Sequence, residues 1–290
     1  MASALRDALL FLDEATTLVG FVLVAGPLAF WVTVAPNGRY DRKQLLLVDV
    51  GLWVLAVATV LGPVLLVVAG GLEPGEVPRE VWASVLVRFA VLAALGAWLT
   101  DLVAEPILGA RRVWAGAVVV ALSATFLAAP VGSDAPRGPV VLAALLAHVV
   151  AAAVWLGGAV VIAVAGLPMR DLNLLSSHVR AFSRMTIGCV VTVLVSSGVL
   201  VLSGSSDLYG LVSSTYGLVM LLKAVVFVAM VVIADHGRRH LDDVLVTRLR
   251  TGADTLPGIQ AWSLLMAAQV VGAGILVGAS VVLTMIGAPG

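Results

Sequence analysis

Eight stretches of the chain are nearly free of charge and about long enough to cross a bilayer: residues 14–35, 45–71, 81–100, 113–130, 140–167, 182–203, 215–235 and 260–287. Roughly 20 apolar residues is the length at which a helix satisfies its own backbone across hydrocarbon. Hydrophobic residues make up 61% of the chain and charged residues 12%, with a mean hydropathy of +1.11, more apolar surface than one soluble core hides. The expected fold is therefore all-α, a polytopic membrane bundle of about eight transmembrane helices whose first partner is membrane lipid. Polar, Gly- and Pro-rich segments punctuate the spans and read as loops: PNGRYDRK, GGLEPGEVPRE, DLVAEPILGARR, VGSDAPRGP, LPMRDLNLLSSHVR, SGSSDLYGLVSST and DHGRRHLDDVLVTRLRTGADTLPG. Asp7, Asp13 and Glu14 stand before or at the start of the first span, and no small-x-small cleavage pattern follows, so that span reads as an uncleaved helix.

Lys and Arg set the expected orientation, because short positive loops stay in the cytoplasm. Arg39, Arg42, Lys43, Arg111, Arg112, Arg170, Arg180, Arg184, Arg238, Arg239, Arg248 and Arg250 all fall on the side of the first, third, fifth and seventh connections. Arg6, Arg79 and Arg137 fall on the other. Both termini should then be extracytoplasmic. The formal net charge of zero gives no reason to expect a nucleic-acid partner.

Two basic residues lie inside spans, Arg88 in the third and Lys223 in the seventh, and ionisable groups at such depth call for a partner or a function. His148 sits in the apolar run LLAHVVAAAVWLGG of the fifth span. At ~1.5 Å per residue, all three lie roughly 10–13 Å inward from the outer boundary. Asp13 and Glu14 open the first span on the same side. If these helices are neighbours, the five groups line one outward-facing polar cavity, with Trp155 one or two turns below His148 as its floor. The bland alternatives are snorkelling of Arg88 and Lys223 to the headgroups, and a His148 bonded to a backbone carbonyl or to Glu14.

Aligning the first three spans with the fifth to seventh brings Arg88 and Lys223 together within a residue, and Glu14 within about a turn of His148. A four-plus-four parallel repeat would produce this, with halves 1–138 and 139–290 and polar groups at their interface.

Other chemistries find no support. The chain has no phosphate-cradling GxxxxGK[ST] loop, no GxSxG elbow and no HExxH pair, so no enzyme is expected. A lone transmembrane histidine cannot clamp a haem from both sides, and none is expected. Cys189 is single, which excludes an internal disulfide or a CxxC pair. His236 and His240 share a helical face at i, i+4 spacing, but among their basic neighbours they read as a solvated loop.

The ordered set His148, Trp155-Leu156-Gly157-Gly158, Arg180-Ala181-Phe182-Ser183-Arg184, Ser197-Gly198 and Thr215-Tyr216-Gly217 with Lys223 beyond it resembles the copper resistance D (CopD) family of bacterial inner-membrane proteins. The resemblance covers about residues 148–240. Before that, only the helix count and the opening Pro27-Leu28-Ala29-Phe30 and Pro36-Asn37-Gly38-Arg39 agree. It implies a multi-pass protein of the bacterial cytoplasmic membrane linked to copper uptake or tolerance, working beside an extracytoplasmic copper-binding partner. The family commonly carries a Gly-His-Ala segment at the outer end of the fourth span, and here the corresponding residues are Gly132-Ser133-Asp134-Ala135. Asp134 could supply oxygen in place of that imidazole, though carboxylates suit Cu(II) better than Cu(I). Met220, one turn before Lys223, and Met285 could supply thioethers.

The function expected on these grounds is copper transport from the extracytoplasmic face, with His148, Met220 and Asp134 as metal ligands. Asp13, Glu14, Arg88, Trp155, Tyr216 and Lys223 complete the polar cavity. The alternative is a non-transporting assembly factor or accessory subunit of a larger membrane complex, its buried charges serving only helix specificity.

Overall fold

The computed structural model describes residues 2–35, 42–68, 73, 75, 77, 79–101, 108–127, 138–166, 172–204, 213–251 and 256–286. Within them the chain forms eight α-helices: α1 (Ala2–Thr33), α2 (Arg42–Val68), α3 (Arg79–Asp101), α4 (Leu108–Ala124), α5 (Pro139–Val161), α6 (Leu172–Gly204), α7 (Thr215–Thr251) and α8 (Leu256–Ile286). A π-helical turn, Ile162–Gly166, extends α5. Six helices are long and apolar enough to cross a membrane; α3 and α4 contribute the shorter apolar segments Val81–Gly96 and Arg112–Ala124.

Two expected loops are helical instead. The segment from Leu172 to Arg180 forms the first turns of α6, and Asp235 to Thr251 continues α7 without a break. Both sequences are polar but keep good helix formers, and polarity marks where a helix leaves the bilayer, not where it ends. At 37 residues α7 is about 55 Å long, well beyond the ~30 Å of hydrocarbon, so its basic end stands clear of the membrane. There Arg180 on α6 pairs with Asp242 on α7 at 3.2 Å, and Arg238 and Arg239 pair with Asp235 at 2.9 and 2.7 Å. His240 Nε2 meets the Gly258 carbonyl oxygen at 3.0 Å while His236 is exposed, so the two histidines do not act as a pair.

The apolar exterior is what a bilayer requires. Leu218, Leu221, Leu222, Val225, Val228 and Val232 present more than half of their surface along α7, a stripe intolerable in water and ordinary in lipid.

Inside, the apolar side chains gather into two clusters. One, around Phe21, Leu28, Leu55, Leu95 and Leu122, joins α1 to α4; the other, around Phe30, Trp155, Leu175, Met230 and Trp262, joins α1 and α5 to α8. Contacts follow the same order in each set of four. α1 packs on α2, α2 on α3, α3 on α4 and α4 back on α1, while α5 packs on α6, α6 on α7, α7 on α8 and α8 back on α5. Buried amides strengthen one seam in each: Trp31 Nε1 donates to Gln44 Oε1 between α1 and α2, and Gln269 Nε2 donates to the Met230 carbonyl between α8 and α7.

The two sets meet where α1 crosses α5. A Cβ at Gly26 would stand 2.2 Å from the Gly157 carbonyl carbon, and one at Gly157 would stand 2.3 Å from the Val22 oxygen. Only glycine lets two backbones approach so closely. Gly158 serves a second neighbour, since a Cβ there would lie 2.3 Å from the Phe182 ring. The Trp-Leu-Gly-Gly run is thus a packing surface that ties α5 to α1 and α6.

Candidate functional site

His148 projects from α5 toward α6, where Ser196 and Ser197 interrupt the apolar run of the C-terminal half of the helix. Its Nδ1 lies 3.1 Å from Ser196 Oγ and 3.3 Å from Ser197 Oγ. The Ser196 hydroxyl already donates to the Thr192 carbonyl at 2.6 Å. With its one proton committed to the helix, that oxygen can only accept and favours a proton on Nδ1 with the lone pair on Nε2, whereas a Ser197 hydroxyl donating to Nδ1 would favour the opposite tautomer. A histidine held in this way by an oxygen at one nitrogen is the usual form of a metal-ligating imidazole.

α7 closes the other side. Trp155, two turns along α5 from His148, is fully buried and meets Phe227 edge-on, with ring centroids 5.1 Å apart. Lys223 is one turn before Phe227 on a helix running the same way, which brings its ammonium within electrostatic reach of His148. Tyr216 and Met220 are half-buried on α7 in the two turns before Lys223. Trp155 Nε1 has no hydrogen-bond partner among the described residues.

Arg88 and the two acidic residues lie elsewhere. α4 ends in tightened i→i+3 turns, with Thr125 and Phe126 bonded back to the Leu122 and Ser123 carbonyls at 3.1 and 3.0 Å. These turns offer both side chains to α3. Arg88 Nε donates to Thr125 Oγ1 at 3.0 Å, and its guanidinium carbon lies 5.2 Å from the Phe126 ring centroid. The Thr125 hydroxyl donates to the Leu122 carbonyl at 2.7 Å, so its oxygen faces the cation as an acceptor. Asp13 on α1 is within electrostatic reach of Arg88, and its Oδ2 stands 3.0 Å from the place a Cβ on Gly62 would occupy. Glu14 turns to α8, where Thr284 Oγ1 lies 2.9 Å from both of its carboxylate oxygens.

The five ionisable groups expected to share a cavity are therefore distributed over His148 with Lys223, Arg88 with Asp13, and Glu14 with Thr284. No hydrogen bond or ion pair joins these sets among the described residues. His148 bonds to serines and not to Glu14. Asp134 and the surrounding Gly132–Ala135 segment lie outside the described residues. No group of three or more His, Cys, Asp or Glu side chains converges to hold a metal among the described residues. Met285 is 42% exposed at the end of α8. Cys189 is a free, buried thiol on α6.

Ser196 and Thr125 were not singled out from the sequence. A hydroxyl pair within an apolar run, Ser196-Ser197, is the signal that could have found the first. Nothing in the sequence distinguishes Thr125 from a residue near a helix end.

No curated protein and no solved structure matches the chain. One family model does, over residues 176–283, a range that contains Ser196, Ser197, Met220 and Lys223 and begins after His148. With its helices long and apolar enough to span a bilayer, the chain is a multi-pass membrane protein, and its residues 176–283 match the family model of copper resistance protein D (CopD).

Proposed function

We propose that this protein moves copper inward from the extracytoplasmic face and that His148 is the residue its cargo meets inside the bundle. The observation that carries the reading is the imidazole of His148, held inside the bundle against Ser196 and Ser197 on a helix within the family-matched range. Met220 supplies a thioether from α7 and Asp134 an oxygen from the outer connection. The charge of Lys223 repels a divalent ion twice as strongly as a monovalent one, which together with imidazole and thioether donors favours Cu(I) over Cu(II).

The basic extension of α7 lies on the cytoplasmic side, both termini lie outside, and His148 is in the outer half of the bilayer. The shared packing order of α1 to α4 and α5 to α8 supports a four-plus-four parallel repeat, with copper handled by the second half. An extracytoplasmic copper-binding protein delivers the ion.

An anaerobic Cu(I) competition titration tests the assignment. His148→Ala weakens binding at least about tenfold, as loss of a direct ligand requires. Unchanged affinity removes His148 from the metal role. If deletion leaves cellular copper unaltered while a larger membrane complex falls apart, the protein is an accessory subunit and not a transporter.

A further inference from the structure

We infer that Asp13 is a proton-exchange site, set in the half of the bundle that does not hold His148. The Asp13 carboxylate is inside α1, the helix that packs against α2, α4, α5, α6 and α8. Its Oδ1 is buried with no hydrogen-bond partner among the described residues. Its Oδ2 fills a notch that exists because residue 62 on α2 is glycine. Leaving a buried carboxylate oxygen unbonded is expensive, and no donor to it comes from the described residues.

The neighbouring groups identify the ligand. Arg88 is close enough to be felt by Asp13 yet is held away by Thr125 and by the Phe126 ring, so it tempers the carboxylate charge without clamping it. A cation needs several converging oxygens. Here the Thr17 hydroxyl donates to Asp13's own backbone carbonyl at 2.9 Å, and Glu14 is engaged by Thr284. α2 presents Gly62, α4 presents Thr125, and the histidine of α5 is bonded to α6. A proton needs only the free oxygen. The step is the reversible addition of H⁺ to Oδ1, giving a neutral carboxyl, with Arg88 as the charge that makes the ionised form tolerable.

Infrared difference spectroscopy of the full chain in liposomes tests this without copper, so it stands or falls separately from the role of His148. A carboxyl without a hydrogen bond gives a C=O stretch at unusually high frequency. Wild-type protein should show such a band growing as pH is lowered. The band disappears in Asp13→Asn and persists in Glu14→Gln. Labelling aspartate carboxyls with carbon-13 in the wild type shifts it to lower frequency, which shows that the band is an aspartate's without requiring the variant to fold. A band that ignores aspartate labelling, or the lack of any titrating band, overturns the proposal. A band suppressed by sodium at constant pH assigns the site to a metal cation and also overturns it.

Discussion

In the first half of the bundle Thr125 commits its hydroxyl proton to the Leu122 carbonyl and turns its oxygen to Arg88; in the second, Ser196 commits its proton to the Thr192 carbonyl and turns its oxygen to His148. The device is the same and the consequence differs. A guanidinium held by an oxygen remains a cation with no lone pair to offer, whereas a neutral imidazole keeps a lone pair on one of its nitrogens. The two halves thus show how one packing order can support a fixed charge in one place and a ligand in another. The family match covers most of α6, which carries Ser196, and begins after His148.

The sharpest way to break this comparison is to separate the halves. Gly157→Ala puts a Cβ against the Gly26 backbone and should cost more than about 3 kcal/mol, at or beyond the upper end of overpacking penalties. Gly188→Ala, which meets nothing within 4 Å, should stay within about 0.5 kcal/mol. Thermal unfolding in detergent distinguishes the two, and equal effects would mean that the α1–α5 crossing is not the joint.

Smaller changes test each half alone. Thr125→Val leaves Arg88 Nε without its acceptor and should destabilise by about 2 kcal/mol, the scale of a hydrogen bond to a charged group, with Cu(I) affinity unchanged. Ser196→Ala should do the reverse, lowering Cu(I) affinity by up to about tenfold, the lower limit for an outer partner of a metal ligand, with little effect on melting. If both variants behave alike, the contrast between the clusters is not functional. At the periphery, Arg180→Gln breaks an exposed pair with Asp242 and should change stability by less than about 1 kcal/mol and copper binding not at all.

Much of the architecture was legible because bilayer physics is coarse. Apolar run length located eight helices, and the residues that interrupt apolar runs, His148, Arg88 and Lys223, were visible by their cost. Helix ends were less legible: SSHVR and the GRRHLDD stretch are polar yet helical, since no rule of burial governs a helix once it has left the membrane. Partnership was the least legible. Glu14 and His148 both point to hydroxyls on other helices, Thr284 and Ser196, and nothing local in either sequence marks a hydroxyl as the partner of a distant side chain.

The central claim, that copper meets the Nε2 of His148, is tested most directly by X-ray absorption of the Cu(I)-loaded protein. The account predicts scattering from one imidazole that vanishes in His148→Ala and survives in Arg88→Gln. A sulfur-only copper environment, or an imidazole signal unchanged in His148→Ala, would contradict it.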